Sequence, residues 1–252
     1  MTLWFPLIAE NPHRRAIERQ FGSIAVPPAT LPPGARFIFL CFTNRCGSNY
    51  LADAMQSDGR LNMAGEFFNA DAVLADVKLH GHATFADHVR LQFLWRQRSD
   101  RFAVKIAIPH LALLGQAGVL DAVHARAHYI LLTREDRLAQ AISLSIAEQS
   151  GQWTADSPPP SRAPEYIRAR IERLIAETAS ANQLFEQFFA RNAIAPIRLS
   201  YEAFLADRRR GLAQIGAAIG LPDLHLVPGA LTVERQATAL NAAWRARYLS
   251  GA

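Results

Sequence analysis

The sequence is short of cysteine and of long hydrophobic runs, and each shortage excludes a class of protein. Cys41 and Cys46 are the two cysteines among 252 residues. They are too few and too close together for the disulfide framework of a small secreted protein. No stretch approaches the roughly 18 apolar residues that a membrane span needs, and the N-terminal segment lacks the basic start of a secretory signal. These absences favour a cytoplasmic protein with no membrane span.

A strong charge bias is also missing, so the charge alone leaves the ligand class open. The 27 Lys and Arg residues exceed the 22 Asp and Glu residues by a formal charge of +5. That excess fits an anionic ligand no better than it fits an ordinary soluble protein. The basic residues are scattered, with one cluster at Arg208-Arg209-Arg210, and we therefore expect no nucleic-acid partner.

The most informative segment runs from Arg36 to Phe68 and combines an apolar run, a short loop and a helical pattern. Residues 37–42 predict a buried strand, and residues 43–48 form a Gly/Ser loop before a helix that Gly59 ends. The N-terminus of such a helix presents free backbone N–H groups to an anion. Gly47 permits a close backbone approach, and Arg45 adds a cation. The segment predicts a phosphate or sulfate site, with a plain turn and a solvent-facing Arg45 as the alternative.

The same loop lacks the lysine of a nucleotide-hydrolysing P-loop. That motif reads G-x-x-x-x-G-K-[ST], and no lysine lies between Arg36 and Arg60. A nucleotide kinase or NTPase is therefore the weaker alternative.

Strand-like and helix-like segments alternate along the rest of the chain. Further strands are predicted at Arg101–Ile108, His128–Thr133 and Ile194–Leu199. This alternation predicts an α/β fold with a parallel central sheet flanked by helices, whose ligands bind beyond the carboxyl ends of the strands. Helices are expected at Pro164–Arg191, at Tyr201–Ile219 before a Gly220 cap, and around Trp244 and Tyr248.

Two units are predicted along the chain. Residues 1–35 form an N-terminal extension, in which Asn11-Pro12 begins a helix and a Pro-rich linker follows. Residues 36–252 form a single α/β domain.

A second anion-binding constellation is predicted at Arg134 and Ser143. Arg134 leaves a strand end, and Ser143 lies in the helix that follows, so the two side chains can flank one anion. The alternative is that Arg134 pairs with Glu135 or Asp136 and that Ser143 lies on a helix surface.

Three histidines, His80, His82 and His88, raise the possibility of a metal site. The sequence does not show whether these histidines lie on a helix or in a loop. No cysteine and only scattered acidic residues lie near them to complete a metal site. We expect them to be solvated surface histidines and expect no metal.

Several motifs together resemble the sulfotransferases that use 3′-phosphoadenosine 5′-phosphosulfate (PAPS), and most closely the bacterial trehalose 2-sulfotransferase family. The loop Arg45-Cys46-Gly47-Ser48-Asn49 is similar to the family's R-S-G-S-T loop, and Glu66-Phe67-Phe68 is similar to its E-F-F element. The family pattern R-x-D-x-x-x-Q-A-x-S-x-x-x-x-x-Q-x-x-x-W is matched by Arg134, Asp136, Gln140, Ala141, Ser143, Gln149 and Trp153. The E-R-Q-A…W-x-x-R-Y tail is matched by Glu234-Arg235-Gln236-Ala237, Trp244 and Arg247-Tyr248.

The resemblance implies a role for each matched residue and a P-loop-like sulfotransferase fold. The 5′-phosphosulfate would bind at Arg45, Cys46, Gly47, Ser48, Asn49 and Tyr50. Arg45 would also stabilise the leaving group, and Glu66 would be the catalytic base. Arg134 and Ser143 would bind the 3′-phosphate, with Arg235 and Gln236 nearby. The acceptor would be a hydroxyl of a carbohydrate, glycolipid or other small molecule, and a homodimer is possible.

The chain departs from the family at Cys46 and Asn49 in the loop, and at Ile108-Pro109-His110, where the family has W-N-Q. These changes leave a non-catalytic nucleotide-binding protein as an alternative, although retention of Glu66 argues against it. Residues 69–101 show no match, so trehalose is not implied as the acceptor.

Three side chains carry more specific expectations. Burial beside Phe67 and Phe68 is expected to raise the pKa of Glu66. Lys105 either reaches the sulfuryl oxygens or caps a strand end, and it is left out of the catalytic set. Core packing is expected for Trp153 and Trp244, with adenine contact or a lid as the alternative for Trp153.

Overall fold

The computed structural model describes residues 2–63, 65–153, 162–232 and 238–251. Its centre is a parallel sheet with strand order β2-β1-β3-β4. The strands are β1 (Arg36–Phe42), β2 (Arg101–Ile106), β3 (Ala127–Thr133) and β4 (Ile197–Ser200). The predicted α/β fold with a parallel central sheet is confirmed.

Helices connect the strands and cover both faces of the sheet. They are α1 (Pro12–Phe21), α2 (Ser48–Gln56), α3 (Ala70–His80), α4 (Phe85–Arg96), α5 (Ile108–Gln116), α6 (Val119–Val123), α7 (Arg137–Ser150), α8 (Arg168–Arg191), α9 (Tyr201–Ala206), α10 (Arg208–Ile219) and α11 (Ala239–Leu249). Within the described ranges, no helix is both long enough and apolar enough to cross a membrane.

Strand β1 lies at the centre of the molecule because both of its faces are apolar. Phe37 and Phe39 point to one face, and Ile38 and Leu40 point to the other; all four are fully or almost fully buried. Side chains alternate along a strand, so a continuous apolar run buries both faces, as a parallel sheet requires. Helices α4, α5 and α8 pack on the first face, and α2 and α10 pack on the second.

The N-terminal residues add to the core on the first face. Leu3, Ile17 and Val26 are buried in the same cluster as Phe37. Asn11 caps α1 as predicted, and its side chain also donates to the Pro109 carbonyl at 2.8 Å. The division of the chain at residue 35 stays a prediction from sequence.

Several predicted boundaries are wrong, and others are confirmed. Strand β4 begins at Ile197 rather than Ile194, and α8 begins at Arg168 rather than Pro164. The single helix expected from Tyr201 to Ile219 is two helices, because the Asp207 side chain accepts the Arg210 N–H and starts α10. Strand β2 ends at Ile106 rather than Ile108, since the turn around Pro109 begins α5. Gly220 ends α10 with φ 74°, as expected of a helix C-cap.

Candidate functional site

The loop between β1 and α2 makes a sharp turn at the carboxyl edge of the sheet. Arg45 has φ 62° and Gly47 has φ 92°, both in the left-handed region. Gly47 is the N-cap of α2, and no side chain of the described residues caps this helix. The first-turn N–H groups of α2 therefore face the space beyond the strand ends, where an oxyanion can accept them.

Position 47 favours glycine for two reasons: its φ angle is positive, and a side chain there has no room. A Cβ atom placed there would lie 2.2 Å from Cδ2 of Tyr201, the first residue of α9. Such a distance is far inside van der Waals contact. The loop thus approaches Tyr201 so closely that any other residue must displace the ring.

Cys46 contributes backbone rather than side chain to this loop. Its side chain is fully buried in the core on the second face of the sheet. Burial raises the pKa of the Cys46 thiol to about 11, so the group is a neutral thiol at neutral pH. The replacement of the family's serine at this position therefore leaves the first-turn N–H groups of α2 in place.

The two predicted anion sites meet at Arg45. Its Nε donates to Ser143 Oγ at 2.9 Å, and its Nη1 donates to the Trp153 carbonyl at 2.9 Å. Arg134 Nη1 in turn donates to the Arg45 carbonyl at 3.0 Å. Burial and the positive charge of Arg134 both lower the pKa of Arg45. We call Arg45, Gly47, Arg134 and Ser143 the loop side of the site.

Arg134 does not make the predicted alternative pair with Glu135 or Asp136 in the described part of the chain. Its nearest acid is Glu202, with Nε 3.7 Å from Oε1, and that buried Nε donates no hydrogen bond within the described residues. Asp136 instead caps α7 and binds Arg245 Nη1 at 2.8 Å. Arg134 therefore keeps a donor for a further anion.

The opposite wall of the site carries Glu66 and Lys105, with Asn49 between this wall and the loop. Lys105 Nζ lies 3.2 Å from Glu66 Oε1 and also donates to Asn49 Oδ1. We call Glu66, Lys105 and Asn49 the glutamate side. The structure thus brings the candidate base next to a lysine that the sequence analysis had left out.

The expected burial of Glu66 is wrong. Phe67 and Phe68 are buried, but the Glu66 side chain is 30% exposed. Lys105 is the buried member of the pair, with its side chain 6% exposed at the end of β2. A lysine inside an otherwise apolar strand is rarely buried without a partner. That was the signal in the sequence that could have linked Lys105 to an acid.

A cavity of about 640 Å³ joins the two sides. Its volume falls within the roughly 300–1,000 Å³ of small-molecule sites. Six charged side chains line it, four basic and two acidic: Arg45, Glu66, Lys105, Arg134, Asp136 and Arg245. Tyr201, Thr238 and Asn241 also line it, and sequence reasoning missed them together with Arg245. The excess of cations fits an anionic ligand.

The remaining predicted site residues differ in whether they are described and in whether they line the cavity. Arg235 and Gln236 lie outside the described residues. Trp244 is buried as expected, but Trp153 is 43% exposed and lines the cavity, so core packing is wrong for Trp153. Ser48 and Tyr50 also line the cavity, whereas Cys46 does not.

The expectation of solvated histidines is wrong for two of the three. His82 is 8% exposed and His88 is 1% exposed, and both bind Asp76 of α3. The His80 side chain remains 39% exposed. The three groups Asp76, His82 and His88 lie close enough together to hold a metal ion.

The fold and the site define an α/β protein with a cation-rich cavity at the carboxyl edge of a parallel sheet. A family model described as Stf0 sulphotransferase matches residues 37–250. The chain belongs to this sulfotransferase family, as the motif resemblance predicted. The match begins in β1 and ends after α11, so it includes every described element that lines the cavity. A comparison with curated proteins found no match.

Proposed function

We propose that the protein transfers a sulfuryl group from PAPS to a hydroxyl of a carbohydrate, glycolipid or other small acceptor. The supporting observation is that one cavity joins an anion-binding loop, a pair of arginines and a carboxylate–lysine pair. Membership of a sulfotransferase family gives the reaction type, and the residues of the cavity suggest how the reaction is carried out.

The loop side suits a nucleotide phosphorylated at both ends. The close approach of Gly47 to Tyr201 leaves the backbone N–H groups of α2 open to the 5′-phosphosulfate. Arg134, with a buried Nε that makes no hydrogen bond in the described residues, and Ser143 would hold the 3′-phosphate. Arg45 belongs to both sites, because its backbone lies in the loop while its guanidinium binds Ser143.

The glutamate side suits the chemical step. Glu66 would accept the proton of the acceptor hydroxyl while that oxygen forms a bond to sulfur. The bond between sulfur and the 5′-phosphate oxygen breaks, and that oxygen gains negative charge. Lys105, 3.2 Å from Glu66, would stabilise this charge together with the loop N–H groups. Arg45 would contribute from the loop side as a second cation.

Donor binding can be tested first and sulfuryl transfer second. Adenosine 3′,5′-bisphosphate should raise the thermal unfolding temperature of the protein more than adenosine 5′-phosphate does. Protein incubated with PAPS and a panel of hydroxyl acceptors should then give a sulfated product by mass spectrometry, and Glu66→Gln should not. Binding of the bisphosphate without transfer to any acceptor would support the non-catalytic alternative, and failure of both would contradict the donor assignment.

A further inference from the structure

A cluster of polar side chains, buried except for the partly exposed Asp76, lies behind the glutamate side, between α3 and α4. Asp76 Oδ2 is 2.6 Å from His82 Nε2 and 2.9 Å from His88 Nδ1. The ligand-type atoms of the three residues all lie within 4.8 Å of one another. Gln92 Nε2 also donates to the same carboxylate oxygen at 3.0 Å. None of these groups lines the cavity that holds Glu66.

The hydrogen bond on the far side of His88 fixes which nitrogen carries the proton. His88 Nε2 lies 3.0 Å from the Phe67 carbonyl oxygen, which can only accept. Nε2 is therefore protonated and donates, and in a neutral imidazole Nδ1 then has a lone pair. That lone pair faces the Asp76 carboxylate at 2.9 Å. Two acceptors at this distance repel each other unless a cation or a proton lies between them.

A single cation between Asp76 and His88 would accept both lone pairs at once. His82 Nε2, 2.6 Å from the same carboxylate oxygen, offers a third ligand atom, and the ligand-type atoms of the three residues lie within 4.8 Å of one another.

We propose that Asp76, His82 and His88 bind a divalent metal ion of the zinc type. Neutral imidazole nitrogen and carboxylate oxygen are the ligands that zinc takes in proteins. A ligating histidine commonly donates its other N–H to a backbone carbonyl, and His88 does this to Phe67. His80, with Nε2 3.6 Å from Asp76 Oδ1, lies on the exposed side of the cluster but outside the three groups whose ligand atoms lie within 4.8 Å of one another.

The geometry needs only a small adjustment to accept the ion. Zinc bonds of about 2.0–2.2 Å in a tetrahedral site set the ligand atoms roughly 3.3 Å apart. The present contacts of 2.6 and 2.9 Å must therefore widen by less than about 1 Å. Rotation of the Asp76 side chain, which is 16% exposed, would widen both contacts together, because Oδ2 is common to them. The bound ion would tie α3 to α4 and, through His88, to the residue after Glu66.

The direct test is a zinc titration of chelator-treated full-length protein. Isothermal calorimetry should show one zinc ion per chain, and Asp76→Asn or His82→Gln should weaken zinc affinity by more than about 100-fold. His225→Gln is the matched control, because the His225 side chain is 65% exposed and lies far from the cluster in sequence. The control should bind zinc as the wild type does, and circular dichroism verifies that each variant is folded.

A measurement on the wild type keeps the proposal testable if the variants fail to fold. In proton–nitrogen correlation spectra of the histidine rings, added zinc should move His88 Nδ1 and His82 Nε2 while His88 Nε2 stays protonated. The proposal is overturned if His88 has protons on both nitrogens in the presence of excess zinc. It is also overturned if folded Asp76→Asn protein binds zinc as tightly as the wild type. None of these readouts depends on sulfotransfer.

Discussion

The two sides of the cavity differ in how their residues come together. The loop side joins two segments, each of which is a strand end followed by a helix: β1, the turn at Gly47 and α2 in one, and β3, Arg134 and α7 with Ser143 in the other. The glutamate side depends on a contact between Glu66, which lies in a connection, and Lys105 at the end of another strand. Each segment of the loop side has a local sequence signal, a strand that ends in a turn before a helix, whereas the contact between Glu66 and Lys105 has no such signal and exists only after the chain has folded.

This difference suggests a division of labour. The loop side offers backbone N–H groups and arginines, which hold charge without exchanging protons. The glutamate side offers a carboxylate and an ammonium group in direct contact, which can accept a proton and stabilise developing charge. Variants on the loop side should therefore affect donor binding, and variants on the glutamate side should affect turnover.

The largest expected effect is that of Glu66→Gln. The amide keeps the shape of the side chain but cannot accept the hydroxyl proton, so kcat should fall by roughly 10²–10⁴-fold. Affinity for adenosine 3′,5′-bisphosphate should change little. Glu186→Gln is the matched control, because Glu186 pairs with Arg198 on the surface. A Glu66→Gln rate within a few-fold of wild type would show that another group is the base.

Lys105→Met should come next, with a loss of about 10²-fold in kcat. Methionine keeps an unbranched apolar side chain of similar length and removes the ammonium group, which contacts Glu66 and Asn49 and lies 4.9 Å from the centroid of the Phe42 ring. Lys78, the other lysine of the chain, is exposed on α3 and gives the control Lys78→Met. If Lys105→Met weakened bisphosphate binding but not kcat, Lys105 would belong functionally to the loop side.

Arg134→Ala should weaken binding of adenosine 3′,5′-bisphosphate by roughly 10–100-fold, as expected for lost hydrogen bonds to a charged group. Binding of adenosine 5′-phosphate, which lacks the 3′-phosphate, should change much less. Calorimetric titration with both ligands measures this difference. Arg137→Ala, an exposed position at the start of α7, is the control. Equal losses for the two ligands would argue against a 3′-phosphate role.

Gly47→Ala tests the close approach of the loop to Tyr201. Alanine there meets both an unfavourable backbone angle and the ring at 2.2 Å. Gly229→Ala is a matched control, because Gly229 has φ 76° but no atom within 4 Å of an added Cβ. Chemical denaturation should show Gly47→Ala to be less stable than Gly229→Ala by about 1–3 kcal/mol. Equal stabilities would mean that the ring moves away freely and that the loop is not held by contact.

The fold was largely predictable because its signals are local. Apolar runs indicated the strands. Asn11 indicated a helix start because its side chain caps α1, and Gly220 indicated a helix end because its backbone adopts the left-handed conformation. The break between α9 and α10 was missed because Asp207 acts as a cap only once the chain turns there. An aspartate inside a helical pattern does not by itself show which role it takes.

Most of the charged and loop residues that line the cavity carried a sequence signal, and their functional roles stay predictions. Sequence reasoning named Arg45, Gly47, Arg134 and Ser143 on the loop side and Glu66 and Asn49 on the glutamate side, but not the direct Arg45–Ser143 contact. On the glutamate side, Lys105 supplies a partner from β2, and Glu66 stays partly exposed instead of buried.

The buried histidines were missed for the same reason. Their burial depends on Asp76, whose carboxylate binds His82 and His88 once α3 and α4 have packed. Pairings between distant segments leave no periodic pattern in the sequence, so residues whose burial depends on such a partner are the ones that sequence reasoning places wrongly.

The smallest predicted effect concerns His110, which lies behind the glutamate side where the family has W-N-Q. Burial, reinforced by the charges of His13 and Lys105, lowers the pKa of His110 to about 3. The unfolded chain binds this proton near pH 6.5 and the folded chain does not, so stability is lost as pH falls below about 6.5. The loss from His110 should be about 1 kcal/mol at pH 6 relative to pH 8.

His110→Gln removes this titration, while the amide oxygen can still accept the Ala107 N–H that His110 Nδ1 accepts at 3.3 Å. Between pH 8 and pH 6 the variant should therefore lose about 1 kcal/mol less stability than the wild type, measured by urea unfolding at each pH. His225→Gln, at an exposed site, should follow the wild-type pH dependence. Parallel curves for His110→Gln and wild type would mean that the pKa of His110 is the same in the folded and the unfolded chain. His110 would then gain a proton near Lys105 as the pH falls to 6, and burial would not keep a second cation away from the glutamate side.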